Sequence, residues 1–446
     1  MNGAALVAEI LKREGTEFIS CYPRNPVIEE CAKLGIRPIL CRQERVGVGI
    51  ADGYTRIMRG KVNGVFAAQA GPGIENAFPG VAQAFSENVP MLILPGGLAS
   101  ARQYRHPTFS AVDVFAPITK WAARAHSVQA IPDLMRQAYH AMRTGKGGPV
   151  LLEIPLEVWD QEFSGELTYE PVQAYPVAPD PAAIAEAARI LLAAKSPILW
   201  AGQGVLYAEA SEEIAELAEL VPAPVMMTNP GKSAIPENHP LSLGGSTKSR
   251  PRTVSEFMDR ADLVFAIGSS LTITNFGPKV PPGKKIVHST NDPSDINKDY
   301  RADHAVIGDA KMVAKALIAE IKNQRGAADA KAVQALKDDI ATVKASWIAD
   351  WQVHSTSDEV PINQYRVIQG LMDTLDRDNV IMTHDSGSPR EQMMSCWEST
   401  AAGSYMGWGK STQLGYGLGI NLGAKLAAPD KICINVMGDA AIGMTG

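Results

Sequence analysis

Of 446 residues only five are cysteine (Cys21, Cys31, Cys41, Cys396 and Cys433), and none forms a C-x-x-C pair. The odd count and wide spacing exclude a disulfide framework and a thiolate zinc site, and point to reduced thiols in a cytoplasmic protein. No apolar run reaches the ~20 residues that cross a bilayer. The N-terminal stretch sets Glu9, Lys12, Arg13 and Glu14 directly behind a short apolar run, the pattern of an amphipathic helix and not of a leader. A basic excess is missing too. Lys and Arg number 42 against 48 Asp and Glu, for a net charge of -6, and no basic cluster interrupts that balance, which argues against nucleic acid as a partner. Charged residues make up 20% and apolar ones 46%, so the chain is neither disordered nor unusually polar.

What the sequence does contain is a rhythm. Short apolar runs (VNGVFAAQ, VPMLILPGG, GPVLLEIP, SPILWAGQG, DLVFAIGSS, KKIVHST, KICINVMGD) alternate with Ala-rich segments such as PAAIAEAARILLAA and AEASEEIAELAELV. The runs are apolar on consecutive positions, as parallel strands covered on both faces must be. The segments between them repeat apolar residues every three or four positions, as helices do. The pattern predicts an α/β protein built of doubly wound parallel sheets. Two seams suggest three domains: residues 1–160, a Pro-rich linker at 161–180, residues 181–321, a charged Ala-rich helical bridge at 322–355, and residues 356–446. The third holds too few strands to cover its own edges, so it is expected to be the partial start of a domain that continues past Gly446. No internal repeat is visible.

Three constellations carry candidate chemistry. The strand RPILC leads to Arg42-Gln43-Glu44-Arg45 and then to a Gly- and Ala-rich helix ending Ala51-Asp52-Gly53-Tyr54-Thr55-Arg56. Glu44 at the end of a parallel strand is either a ligand-facing carboxylate or a surface partner of Arg42 or Arg45. The strand VNGVFAA runs into Gln69-Ala70-Gly71-Pro72-Gly73-Ile74-Glu75-Asn76, a turn that can offer backbone N–H groups to a polar ligand or simply reverse the chain. Gly202-Gln203-Gly204 and Ile267-Gly268-Ser269-Ser270 are similar strand ends and fit a plain dinucleotide-binding protein as well. Finally, Gly438-Asp439-Ala440-Ala441 follows KICINVM; Asp439 there is suited to Mg²⁺ beside a diphosphate or to simple helix capping.

In this order the motifs resemble those of the thiamine-diphosphate (ThDP) enzymes of the acetolactate synthase and pyruvate oxidase superfamily. The run R-Q-E-x-x-x-x-x-x-A-D-G-Y-x-R resembles the pyrimidine-domain signature around the family's catalytic glutamate. AGPGIENAFPGVAQAFSENVPMLILPGG and GKGGPVLLEIPLEVW resemble the remainder of that domain. GKSAIPENHPLSLGG and STNDPSDINKDYRADHAVIGDAK resemble the middle domain, and GKSTQLGYGLGINLGAKLAAPDK with VMGDAAIGM is similar to the start of the diphosphate-binding domain.

The resemblance implies a decarboxylase or carboligase that uses ThDP and Mg²⁺ to make or cleave a bond next to a carbonyl. Glu44 would bond the aminopyrimidine N1′ and drive proton transfer. Leu414 would support the bent cofactor, with Thr412 and Gln413 beside it. Gly73 and Asn76, together with Asp385, Ser386, Gly387, Ser388, Gly438, Ala440 and Ala441, would contact the cofactor, and Asp439 would ligate the metal. Arg24, Asn25, His106 and Phe109 are implied around the substrate, a 2-oxo acid or an acyl-CoA. The family pattern implies a homodimer or homotetramer with sites shared between subunits. The segment after Ser270 lacks the Arg- and Asp-rich stretch that acetolactate synthases use around FAD, which argues against flavin and leaves ADP as the middle-domain alternative. In the family an Asn further downstream of the motif matched by Gly438-Asp439-Ala440 completes the Mg²⁺ site, so a chain ending at Gly446 is expected to lack part of that site. Rival readings are a 2-hydroxyacyl-CoA lyase or oxalyl-CoA decarboxylase, and a non-catalytic homologue should the chain stop there.

Overall fold

The structure is a computed structural model that describes residues 1–103 and 105–446. It divides into two compact units, Met1–Tyr175 with Ser411–Gly446, and Pro176–Lys410. The α/β class expected from the alternation of elements is what the structure shows.

In the first unit, strands β1 (Phe18–Cys21), β2 (Arg37–Leu40), β3 (Gly64–Ala68), β4 (Met91–Gly97), β5 (Trp121–Arg124) and β6 (Val150–Pro155) form a parallel sheet in the order β2-β1-β3-β4-β6-β5. Its two faces are both apolar because side chains alternate along each strand. Val65, Ala67, Leu92, Leu94, Val150 and Leu152 pack against the helices Gly3–Arg13 and Ile131–Arg143. Phe66, Ala68, Met91, Ile93 and Leu151 face the helices Glu44–Ile57 and Pro72–Ser86. This is why β3, β4 and β6 read as unbroken apolar runs in the sequence. Residues 163–180 contain no helix or strand. The start of that stretch is held by Glu14, whose carboxylate accepts hydrogen bonds from Tyr169 Oη (2.5 Å), the Val172 N–H (3.0 Å) and Arg143 (2.6 Å). The segment 411–446 contributes the helix Tyr416–Ala427, the strand Ile432–Val436 and the helix Asp439–Thr445.

The second unit contains β7 (Pro197–Ala201), β8 (Val225–Thr228), β9 (Ser242–Ser246), β10 (Leu263–Ile267), β11 (Lys285–Thr290) and β12 (His304–Ile307), parallel in the order β12-β11-β10-β7-β8-β9. Asp309 caps the helix Ala310–Arg325 by accepting from the Lys311 and Met312 N–H groups, and Asp329 caps the 26-residue helix Ala330–Ser355 in the same way. A further parallel pair, β13 (Val380–His384) and β14 (Tyr405–Met406), belongs to a third, smaller sheet. A buried ion pair knits this unit together. Lys232 Nζ lies 2.6 Å from both Glu237 oxygens and donates to the carbonyls of Met394 (3.1 Å) and Trp397 (2.8 Å). Burial draws the Lys232 ammonium pKa down, against the opposing pull of Glu237.

Candidate active site

The first sheet reverses its direction of growth between β1 and β3, the position where open α/β sheets leave a crevice at their strand ends. Asn25, in the turn after β1, closes part of it. Its amide donates to the carbonyls of Ala68 (3.0 Å) and Leu94 (2.9 Å), while its Oδ1 accepts from the Val27 N–H (3.1 Å). The side chain named above for substrate is thus bonded to the end of β3 and the middle of β4. Arg24 beside it is exposed and sits at φ 83°, a left-handed conformation that is costly for a residue with a side chain.

Glu44 is the first residue of the helix Glu44–Ile57, preceded by the extended N-cap Gln43. A carboxylate is favoured there by the positive end of the helix dipole. The residue is 6% exposed, and its carboxyl has no hydrogen bond or ion pair among the described residues. The surface-pair reading therefore fails: Arg45 turns instead to Gln43 Oε1 (3.0 Å) and to the carbonyl of Met444. The turn after β3 roofs the carboxyl. A Cβ on Gly73 would stand 2.9 Å from Gln69 Cβ and 3.6 Å from Glu44 Oε1. Gly71, the helix N-cap, takes φ 68°, which glycine adopts without strain. Asn76, the fifth residue of that helix, is exposed. Two thiols lie nearby, Cys21 at the end of β1 and Cys41 directly after β2. Burial pushes Cys41 up to about 11 and Cys21 up to about 12, so both stay protonated at neutral pH and neither serves as a thiolate nucleophile.

The helix Tyr416–Ala427 lies against the Glu44 helix with backbone on backbone. A Cβ on Gly53 would fall 2.0 Å from the Ile420 carbonyl oxygen, one on Gly419 2.6 Å from that of Val46, and one on Gly423 2.1 Å from that of Ile50. Gly49 and Gly53, like Gly419 and Gly423, are four residues apart and so share a helix face. The turn before this helix carries Thr412, Gln413 and Leu414. Gln413 N–H donates to Gln83 Oε1 over a long 3.4 Å, and its own Oε1 is buried with no partner. Leu414 is 36% exposed, ahead of Gly415 at φ 86°. Asp439 opens the helix Asp439–Thr445, exposed, with Oδ1 accepting from the Ala440 N–H at 2.8 Å. Ala440 is exposed and Ala441 buried, and a Cβ on Gly438 would meet nothing within 4 Å.

In the second unit, Asp385 and Ser386 are buried directly after β13. Asp385 Oδ1 accepts from the Ser386 N–H (2.8 Å), and Ser386 Oγ has no partner. Gly387 at φ 89° precedes Ser388, the first residue of the helix Ser388–Cys396. Of the remaining substrate candidates, His106 is exposed and Phe109 turns inward, edge-on to Phe115 at 6.5 Å. Tyr104, in the same loop, lies outside the described residues. Sequence reasoning passed over Asp52, Gln83 and Tyr416 as participants in the site. The one signal for Asp52 was its spacing of four from Arg56 on a helix.

Among the described residues no three His, Cys, Asp or Glu side chains gather as a metal-holding group, and no helix is long and apolar enough to cross a membrane. The cradle fits a polar heteroaromatic ligand: Glu44 and Gln413 Oε1 are both buried without partners, and Gly73 has no side chain over the carboxyl.

Comparison with known proteins matches residues 1–116 to "Thiamine pyrophosphate enzyme, N-terminal TPP binding domain", residues 184–317 to the "central domain" of the same enzymes and residues 385–446 to their "C-terminal TPP binding domain". A probable acetolactate synthase large subunit of Methanocaldococcus jannaschii is 30% identical over 460 residues, covering 98% of this chain and 76% of the relative. That of Methanococcus aeolicus is 29% identical over 467 residues, covering 100% and 77%. A glyoxylate carboligase of Escherichia coli O157:H7 is 29% identical over 451 residues, covering 96% and 73%.

Proposed function

Since the chain belongs to the thiamine pyrophosphate enzymes, we propose that Glu44 is the carboxyl that exchanges a proton with the cofactor ring, in an acetolactate synthase-like decarboxylase or carboligase. Thiamine diphosphate, when bound, supplies an electron sink for making or breaking a carbon–carbon bond beside a carbonyl. The observation that carries the reading is the buried Glu44 carboxyl, without a partner among the described residues and overlaid by a glycine. A carboxyl oxygen within hydrogen-bond reach of a ring nitrogen hands a proton across and takes it back, and Glu44 Oε1 is the oxygen nearest the Gly73 roof.

The other residues divide the binding. The Thr412 carbonyl would accept from an exocyclic amine, and Leu414 would give an apolar rest for the rings. Gly438, Ala440 and Ala441 lend backbone, as do Gly73 and Asn76. Ser386 Oγ and the N–H groups of Gly387 and Ser388, in the turn set by Asp385, are donors from which a phosphate group would accept. Asp439 is a single hard oxygen ligand. Mg²⁺ is held in this way elsewhere, by one or two carboxylates with phosphate oxygens and water completing the octahedron. The relatives' names favour a short 2-oxo acid over a CoA thioester, and exposed Arg24 is the cation offered to its carboxylate. The reading includes a homodimer or homotetramer, which sedimentation velocity checks.

Titrating the protein with thiamine diphosphate and Mg²⁺, followed by tryptophan fluorescence, tests the cofactor. Saturable binding is expected, weakened when Mg²⁺ is chelated. Incubation with pyruvate or glyoxylate should then release CO₂. Failure to bind the cofactor at millimolar concentration would sink the proposal.

A further inference from the structure

The Glu44 helix does more than deliver Glu44. Two turns further on, Asp52 is fully buried. Its Oδ1 accepts from Arg56 Nε at 2.5 Å and its Oδ2 from Arg56 Nη2 at 3.3 Å. Oδ2 also accepts from Tyr416 Oη at 3.0 Å. Tyr416 is the first residue of its helix, two residues beyond Leu414. Burial, with the Asp52 charge beside it, pushes the Tyr416 hydroxyl pKa far up, so it is a hydrogen-bond donor at any working pH.

The glycine contact between the two helices explains their closeness but not their alignment. Gly49, Gly53, Gly419 and Gly423 carry no side chains that interlock, so the contact resists separation better than it resists rotation or sliding. Nor does packing explain a carboxylate at the centre of this seam. Burying an ion pair gains little over apolar residues of the same size, whereas a directional bond to one carboxylate oxygen fixes one rotation and one register. A third element joins the same frame: Gln83, buried on the helix Pro72–Ser86, accepts from the Gln413 N–H. That helix begins at the Gly71–Gly73 roof over Glu44.

We propose that the Tyr416–Asp52 hydrogen bond is a positioning device that sets Thr412, Gln413 and Leu414 in register with Glu44, so that the groups on both sides of the cofactor ring are aligned before it arrives. The proposal rests on the cofactor reading above. Asp52 and Tyr416 act through those residues and are positioning residues, not catalytic ones.

Tyr416→Phe in the full chain keeps the ring and deletes the donor. The expected result is about a tenfold rise in the dissociation constant for thiamine diphosphate, the scale of one hydrogen bond to a charged group. Amide exchange at residues 411–420 of the cofactor-free protein should accelerate by a similar factor, with β3, β4 and β6 unchanged. Asp52→Asn keeps an acceptor for the hydroxyl and is expected to hold the affinity within about threefold of the parent. A merely structural role predicts a lower melting temperature for Tyr416→Phe with unchanged affinity and unchanged local exchange, and that result overturns the proposal. Equal losses of affinity in the two variants also overturn it, because they would trace the effect to the Asp52–Arg56 pair. Absence of cofactor binding by the parent protein would count against the cofactor reading alone, and the exchange at 411–420 would still decide whether the bond aligns that segment.

Discussion

The two six-stranded sheets share layers and strand direction but treat their points of reversal in opposite ways. In the first, between β1 and β3, a buried carboxyl is left without a partner under a glycine turn. In the second, between β7 and β10, the two strand-end turns are laced to each other: the Gly202 N–H donates to the Ile267 carbonyl (2.9 Å) and the Gly204 N–H to that of Gly268 (2.8 Å). A Cβ on Gly202 would stand 2.3 Å from the Gly268 oxygen. Glycine serves close approach in both places. In the second sheet the neighbour approached is the protein's own backbone, so the hydrogen-bonding groups are spent. A reversal of strand order supplies a location, and unspent polar groups are what the first location has and the second lacks.

The sharpest way to break this comparison is Glu44→Gln. A loss of about 10²–10⁴-fold in kcat is expected, the range for removal of a general acid–base group, with near-UV circular dichroism unchanged. Ordinary turnover would show that the unpartnered carboxyl has no chemical role. Next in size, Lys232→Met strands Glu237 in the interior of the second unit. Breaking such a pair costs about 3–5 kcal/mol, and hydrogen exchange should quicken in β7–β12 more than in β1–β6. Uniform quickening would argue against two separately stabilised units.

A matched glycine pair sharpens the contrast further. Gly204→Ala puts a methyl 2.8 Å from the Gly268 Cα and should cost about 1–3 kcal/mol of stability through overpacking, with cofactor affinity intact. Gly73→Ala crowds Gln69 Cβ at 2.9 Å and lays a methyl 3.6 Å from Glu44 Oε1, and is expected to reduce kcat/KM severalfold with a smaller change in melting temperature. Equal profiles for both variants would erase the distinction between a sealed turn and an open one. The smallest effect concerns acid. Burial alone would raise the Glu398 carboxyl, but Lys344 and Arg377, each at 2.6 Å, hold it below the ordinary glutamate value. Its contribution is complete above about pH 4.3 and fades as the pH falls through the lowered value. Because the group is partly exposed, Glu398→Gln should remove under about 1 kcal/mol and flatten the acid limb of the unfolding curve.

Legibility in the sequence followed burial. Strands covered on both faces (β3, β4, β6, β7, β10 and β11) stood out as unbroken apolar runs. The short edge or half-covered strands β5, β9 and β12 did not, since WAAR, SLGGS and HAVI carry little apolar signal. Glu44 was legible as a carboxylate at a strand end, and the structure removes its pairing with Arg45, which turns to Gln43 Oε1 and the Met444 carbonyl. The Gly- and Ala-rich helix after it was legible as a surface for close approach. What approaches it was not, because the partner helix lies more than 350 residues away in sequence and pairs through glycines, which have no pattern of their own. Asp52, Gln83 and Tyr416 escaped notice for a related reason. A buried hydrogen bond between distant residues leaves no periodicity, and each residue alone reads as ordinary helix content.

The glycine seam has a consequence for how this gene tolerates change. Every single-base alteration of a glycine codon that changes the amino acid adds at least a methyl group, and at positions 53, 419 and 423 that methyl would land on a neighbouring carbonyl oxygen. The code offers these sites no gentle neighbour. Random variants that lose activity while leaving Glu44 untouched should therefore collect at these three codons, far out of proportion to their share of the coding length.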